Sequence, residues 1–155
     1  MQTGGEITTN VDRETAFSFV GDPFRLAQCI PGCENLREIA PRKYAATLAN
    51  KVGFISVKFD VVVEITKIEP PAAIEASIGG DAPGLGGRLT ANATVRLEDV
   101  PAGGTLIRYT IEMGLTGKLG GIGQPVFRSK SDELGRKFAA NLKAAMESGT
   151  GVSAT

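Results

Sequence analysis

The sequence contains no histidine. That absence removes the commonest general base and the commonest metal ligand at neutral pH, so Ser-His and Cys-His nucleophiles and most zinc sites are excluded. Cysteine is scarce as well. Cys29 and Cys33 stand in Cys-Ile-Pro-Gly-Cys, which has neither the spacing of a zinc knuckle nor that of a thioredoxin-type redox pair. The two read as small buried thiols beside a turn. No secretory leader and no apolar run of about 18 residues is present, which predicts a soluble, cytoplasmic protein. An excess of one charge is missing too: 17 Lys and Arg balance 17 Asp and Glu, and no basic block is available to neutralise a row of phosphates. Nucleic acid is therefore not an expected partner.

What remains is a chain of 155 residues, 42% hydrophobic and 22% charged, which suits one domain with one core. Residues 5–10 read as a short strand. Asp12 then caps a helix carrying Ala16, Phe17 and Val20 at helical spacing, and Gly21-Asp22-Pro23 breaks it. A second short helix runs from Pro23 to about Ile30 and is stopped by Pro31-Gly32.

From Leu36 the period becomes two, with turn-forming residues every dozen or so positions, as in an antiparallel meander. The clearest strand places Ile55, Val57, Phe59, Val61, Val63 and Ile65 on one face and Ser56, Lys58, Asp60 and Glu64 on the other. Leu89 to Leu97 and Ile107 to Leu115 repeat the alternation, while Tyr44 to Val52 and Ile74 to Ile78 supply less regular strands. After Gly117 the period returns to 3.6, and Phe127, Ser131, Leu134, Phe138, Leu142 and Met146 make one helical stripe. The domain is thus expected over residues 1–147. Residues 148–155 are small and polar, with the composition of a flexible linker.

This pattern predicts an α+β fold: a curved antiparallel sheet of about seven strands wrapped around a long C-terminal helix, with two short helices after the first strand. A sheet curved around one helix encloses more volume than that helix can fill. The inner face here carries Ala46, Ala76, Ala91 and Ala93 where larger residues would close a core. An empty void costs about 24 cal/mol per Å³, so an apolar pocket for a small hydrophobic molecule is expected. Strand parity nominates Leu48, Phe54, Phe59, Val61, Ile78, Leu89, Ala91, Tyr109 and Ile111 as its lining. Phe17 from the first helix and Phe127, Leu134 and Phe138 from the last complete the set. The alternative is a tight core in which larger neighbours lean over the alanines.

Two glycine-rich stretches, 79–87 and 114–123, read as mobile rims of that pocket. The first is no phosphate loop, because no Lys-Ser/Thr follows it and no helix begins after it. No acid or base is expected inside: Asp60, Glu64 and Glu112 fall on polar strand faces. Arg88, Arg108 and Arg128 read as solvated charges, with docking of a partner enzyme as the alternative.

Three segments carry a resemblance: Asp22-Pro-Phe-Arg-Leu-Ala-Gln-Cys-Ile-Pro-Gly-Cys-Glu-Asn-Leu36, Lys51-Val-Gly-Phe-Ile-Ser-Val-Lys-Phe59 and Gly117-Lys-Leu-Gly-Gly-Ile-Gly-Gln124. In order along residues 2–147 they resemble the CoxG family of carbon monoxide dehydrogenase subunits, within the START/SRPBCC helix-grip superfamily. The resemblance implies a non-catalytic accessory protein of a molybdenum carbon monoxide dehydrogenase or related hydroxylase. That protein would link the enzyme to the inner face of the cytoplasmic membrane. Many relatives continue through a linker into a membrane anchor, and the polar tail has the composition of such a linker.

The expected ligand is a respiratory quinone, menaquinone or ubiquinone, or another isoprenoid or lipid, held without covalent attachment. Tyr109 and Asn50 are the residues suited to hydrogen-bond a quinone carbonyl, although an inward tyrosine commonly finds a backbone partner instead. Two rival readings stand beside this one. One is a docking or assembly subunit that carries no ligand; the other is an enzyme of the cyclase or hydratase type found in the same superfamily.

Overall fold

Alternation of apolar and polar side chains fixes the sheet. In the computed structural model, which describes residues 2–52, 55–84, 86–117 and 124–153, Val57 and Val61 are buried while Ser56, Lys58, Asp60 and Glu64 are exposed. The strands are β1 (Gln2–Thr9), β2 (Cys33–Ala40), β3 (Lys43–Val52), β4 (Ile55–Glu69), β5 (Ala73–Asp81), β6 (Arg88–Asp99) and β7 (Thr105–Thr116). They form one antiparallel sheet in the order β1-β7-β6-β5-β4-β3-β2. The meander thus runs from β2 to β7, and the first strand adds to its far edge.

Helices α1 (Arg13–Val20) and α2 (Pro23–Gln28) connect β1 to β2 across the end of the sheet, and α3 (Gln124–Ser153) closes the chain. Asp12 caps α1 by accepting from the Thr15 amide at 2.7 Å, and Asp22 caps α2 at the Phe24 and Arg25 amides. Pro23 fits the first turn of α2, where its missing N–H is not needed. The α+β fold is the expected one.

Several boundaries differ from those the sequence predicts: β1 starts at Gln2, α2 ends at Gln28 and β2 starts at Cys33, and two further shifts concern β5 and α3. β5 takes in Gly79 and Gly80, which the sequence alone places in a loop. A Cβ on Gly80 would stand 2.7 Å from Val61 Cγ1, so glycine here permits a close strand approach rather than a bend. α3 runs through Ser153, past the end expected near residue 147. Residues 148–153 contain no proline, and each of Gly149 and Gly151 weakens a helix by only about 1 kcal/mol.

The described core divides into two clusters. The larger, at the end of the sheet covered by α1 and α2, joins Ile7, Val11, Ala16, Val20, Cys29, Ile74, Leu97 and Ile107 to Leu142 and Met146 of α3. The smaller, at the opposite end, joins Val57 and Ala82 to Phe127, with Phe59 and Leu115 against it.

Candidate functional site between the sheet and the last helix

Between those clusters the strand register sets three inward rows. Tyr44, Val63, Ile78, Ala91 and Met113 are successive partners across β3 to β7; Ala46, Val61, Gly80, Leu89 and Leu115 form the next row, and Ala76, Ala93, Ile111 and Thr3 the third. Five of these positions are alanine or glycine. The floor of the central stretch is therefore low.

The helix above it is seated at its ends. Leu142 and Met146 are 1% and 2% exposed in the larger cluster, and Phe127 is 7% exposed in the smaller. Leu134 and Phe138, on the same stripe between them, are only half-buried, as are Val63, Ala76, Ile78, Ala93, Ile111 and Met113 on the sheet. Among the described residues the backbone of α3 lies nearest β1, with a few close approaches to β3, and its side chains reach the other strands through the two clusters.

Polar contacts pin the C-terminal half of α3. Glu147 accepts from the Thr9 hydroxyl at 3.1 Å and the Asn10 amide, Lys143 donates to the Thr8 carbonyl at 2.9 Å, and Asn141 donates to the Cys29 carbonyl at 3.1 Å. Between these two seated ends the facing side chains of α3 and the sheet are half-buried and mostly apolar.

The candidate lining residues distribute unevenly around this stretch. Val61, Leu89 and Ala91 are buried on the inner face of the sheet, and Leu48, Ile78, Ile111 and Leu134 are half-buried. Phe127 and Phe59 belong to the smaller cluster, whereas Phe17, Tyr109 and Phe138 pack against the larger one. Phe54 lies outside the described residues, as do Gly120, Gly121 and Gly123 of the second glycine-rich stretch. Strand parity and the helical stripe do not nominate Thr3, Gly5 and Gly135, which lie near this stretch. No pattern in the sequence marks a lone helical glycine, and Gly5 becomes legible only through its register partner Tyr109.

The two candidate donors both have backbone partners. Asn50 spends its amide on the Pro31 carbonyl at 3.1 Å, and the Tyr109 hydroxyl points at the Gly135 carbonyl of α3 at 3.4 Å. Burial pushes the Tyr109 phenol above its ordinary pKa, so it stays a donor at neutral pH. Burial also raises both thiols, Cys33 with help from the Glu34 charge, which keeps them protonated and poor nucleophiles. Asp60, Glu64 and Glu112 face the solvent on the outer side. Among the described residues no cluster of three or more Cys, Asp or Glu is arranged to hold a metal, and no helix is long and apolar enough to cross a membrane.

The family profile of CoxG, a carbon monoxide dehydrogenase subunit, matches residues 5–147. The chain belongs to the CoxG family. Membership implies association with a carbon monoxide dehydrogenase, which the family serves as an accessory subunit. The chain is similar to a conserved protein from Geobacillus kaustophilus, with 26% identity, 96% of each chain covered and a TM-score of 0.85. A START superfamily protein from Mycobacterium smegmatis shares the fold at 14% identity, with 95% of this chain and 97% of that one covered and a TM-score of 0.72. So does the Zhui aromatase/cyclase from a Streptomyces strain, at 12% identity, 95% and 93% coverage and a TM-score of 0.69. A comparison with curated proteins gives no match.

The structure gives a physical role to the element that carried the CoxG resemblance. In Cys-Ile-Pro-Gly-Cys, Gly32 has φ +83°, and a Cβ there would collide with the Ala49 carbonyl oxygen. The Gly32 carbonyl accepts from the Ala49 amide at 2.9 Å, and Asn50 holds Pro31. In this CoxG-family chain the motif therefore fastens the helical corner to β3, and both cysteines are free thiols that pack there. Arg88 and Arg108 sit on the outer face in exposed pairs with Asp81, Glu6 and Glu98, which contribute little to stability.

Proposed function

We propose that this protein is a non-catalytic carrier that takes a hydrophobic molecule, a respiratory quinone such as menaquinone, between α3 and the sheet. In this reading it couples its dehydrogenase to the membrane electron-transport chain. The observation that carries the proposal is the central stretch of half-buried apolar residues over small ones, between two seated helix ends. Each isoprenoid CH₂ buried there contributes about 0.8 kcal/mol, so affinity grows with chain length and needs few polar contacts.

The chemistry then belongs to the ligand. Oxidation of carbon monoxide with water yields carbon dioxide, two protons and two electrons, and a quinone accepts both pairs to become a quinol. A quinone is too apolar to leave the bilayer unaided, and a soluble enzyme cannot reach into the bilayer. A domain that shields the quinone bridges that gap. A cyclase or hydratase role would need an acid or base inside, and the carboxylates on β4 and β7 point outward.

Mass spectrometry of an organic extract of the purified protein, with a Phe138→Trp variant extracted in parallel, tests the proposal. A quinone that is stoichiometric in the wild type and lost from the variant supports it. An absence of apolar ligand from both, even after incubation with quinone-containing membranes, favours a docking or assembly subunit.

A further inference from the structure

Tyr109 occupies a singular position in the described interior. Its register partner is Gly5, and its ring lies so close over that glycine that a Cβ there would stand 2.9 Å from the hydroxyl oxygen. On the other side is Gly135 of α3, whose Cβ would stand 3.5 Å from the same oxygen. Two elements thus lack a side chain at the point where the phenol ends. Phe138 meets the ring edge-on, 5.6 Å away at 85°, and fixes its plane.

The hydroxyl is poorly satisfied. Its acceptor is the Gly135 carbonyl at 3.4 Å, well beyond the 2.5–3.0 Å usual for an O–H···O bond. That carbonyl lies inside a continuous α-helix and already receives an intrahelical amide. The next inward row toward the central stretch is Ala93, Ile111 and Thr3, and because the hydroxyl lies over Gly5 of β1, an oxygen-bearing group resting on Ile111 and Thr3 comes beside it. Asn50, the other amphiphilic candidate, is already spent on Pro31.

We infer that Tyr109 is the specificity-determining donor of the site: its hydroxyl turns from Gly135 to a carbonyl oxygen of the ligand headgroup. The inference rests on the carrier reading and deepens it. It orients the ligand with the ring against Tyr109 and the isoprenoid tail running over Ala91 toward Phe127. It also predicts discrimination, since a hydrocarbon of the same shape gains nothing from the phenol.

The test compares the wild type with Tyr109→Phe, which keeps the ring and removes only the hydroxyl. The probes are a short-tailed menaquinone and the matching prenylated naphthalene without the two carbonyl oxygens. Calorimetric titration gives affinities, and infrared spectra of carbonyl-labelled quinone report the hydrogen bond. We expect Tyr109→Phe to bind the quinone about tenfold more weakly, with the naphthalene unaffected and the carbonyl band shifted to lower frequency in the wild type only. Equal quinone affinity and identical carbonyl bands in the two proteins would overturn the inference and leave the carrier reading intact. Equal loss of both probes from the variant would mark a packing role and overturn it as well. If neither probe bound the wild type, the carrier reading itself would fall.

Discussion

Gly80 of β5 and Val61 of β4 face each other so closely that a Cβ on the glycine would lie 2.7 Å from Val61 Cγ1. The valine is buried and held by its strand, so it has little room to yield. Gly80→Ala should therefore cost about 1–3 kcal/mol, as overpacking of a filled site does. Gly79→Ala meets only the Arg88 guanidinium, the end of a flexible exposed side chain, and should cost far less. Urea titrations of the two variants check the contrast; equal losses would mean that the strand approach is not what the glycine serves.

The tie between Glu147 and the end of β1 is expected to hold the C-terminal half of α3. Thr9 is buried and donates to Glu147, and Asn10 shares the carboxylate. Glu147→Ala should lower stability by about 1 kcal/mol, the usual net value of such a bond, and speed amide exchange in the last turns of α3. Unchanged exchange around Leu142 and Met146 would show that packing alone seats the helix.

Asp12 supplies a pH-dependent term at the start of α1. Hydrogen bonds from Thr15 hold its carboxyl below the usual carboxylate range. A folded-state pKa below the unfolded one gives stability that is present above the unfolded value and lost as pH falls through the folded value. The melting temperature of the wild type should exceed that of Asp12→Ala at pH 7, and the gap should close in acid below the carboxylate range. A gap that persists there would assign the effect to something other than the charged cap.

Cysteine reactivity should be low and graded. Burial raises both thiols, and Cys29 is 3% exposed whereas Cys33 is half-buried. Maleimide labelling of the native protein at pH 7 should be slow, with Cys33 reacting before Cys29. Rapid labelling of Cys29 would contradict the seating of the helical corner on β3.

Much of this fold is legible in the sequence because period and burial coincide. The alternation along β4 and the stripe from Phe127 to Met146 each name their inner face directly, and Asp12 names its helix start. Legibility ends where a residue has no face. Gly79 and Gly80 read as a loop because glycine carries no polarity pattern, and only the pairing with β4 and β6 shows them to be strand. The site is half legible. Parity finds Ala91, Ile78 and Ile111, but Phe127 looks the same in sequence whether it lines a space or plugs its end, and burial in the smaller cluster makes it the plug. The meeting of Gly5, Tyr109 and Gly135 depends on register and on helix placement, which no local pattern encodes.

The central claim is that the space between α3 and the sheet takes an apolar molecule out of a bilayer. Incubation of the protein with menaquinone-loaded vesicles, removal of the vesicles by flotation and quantification of quinone in the protein fraction test it most directly. Ala93→Phe, which fills the central row, serves as the comparison once circular dichroism has shown that it folds. Stoichiometric quinone in the wild type and little in Ala93→Phe is the predicted result. A wild-type fraction free of quinone, or an equal load in the filled variant, would contradict the account.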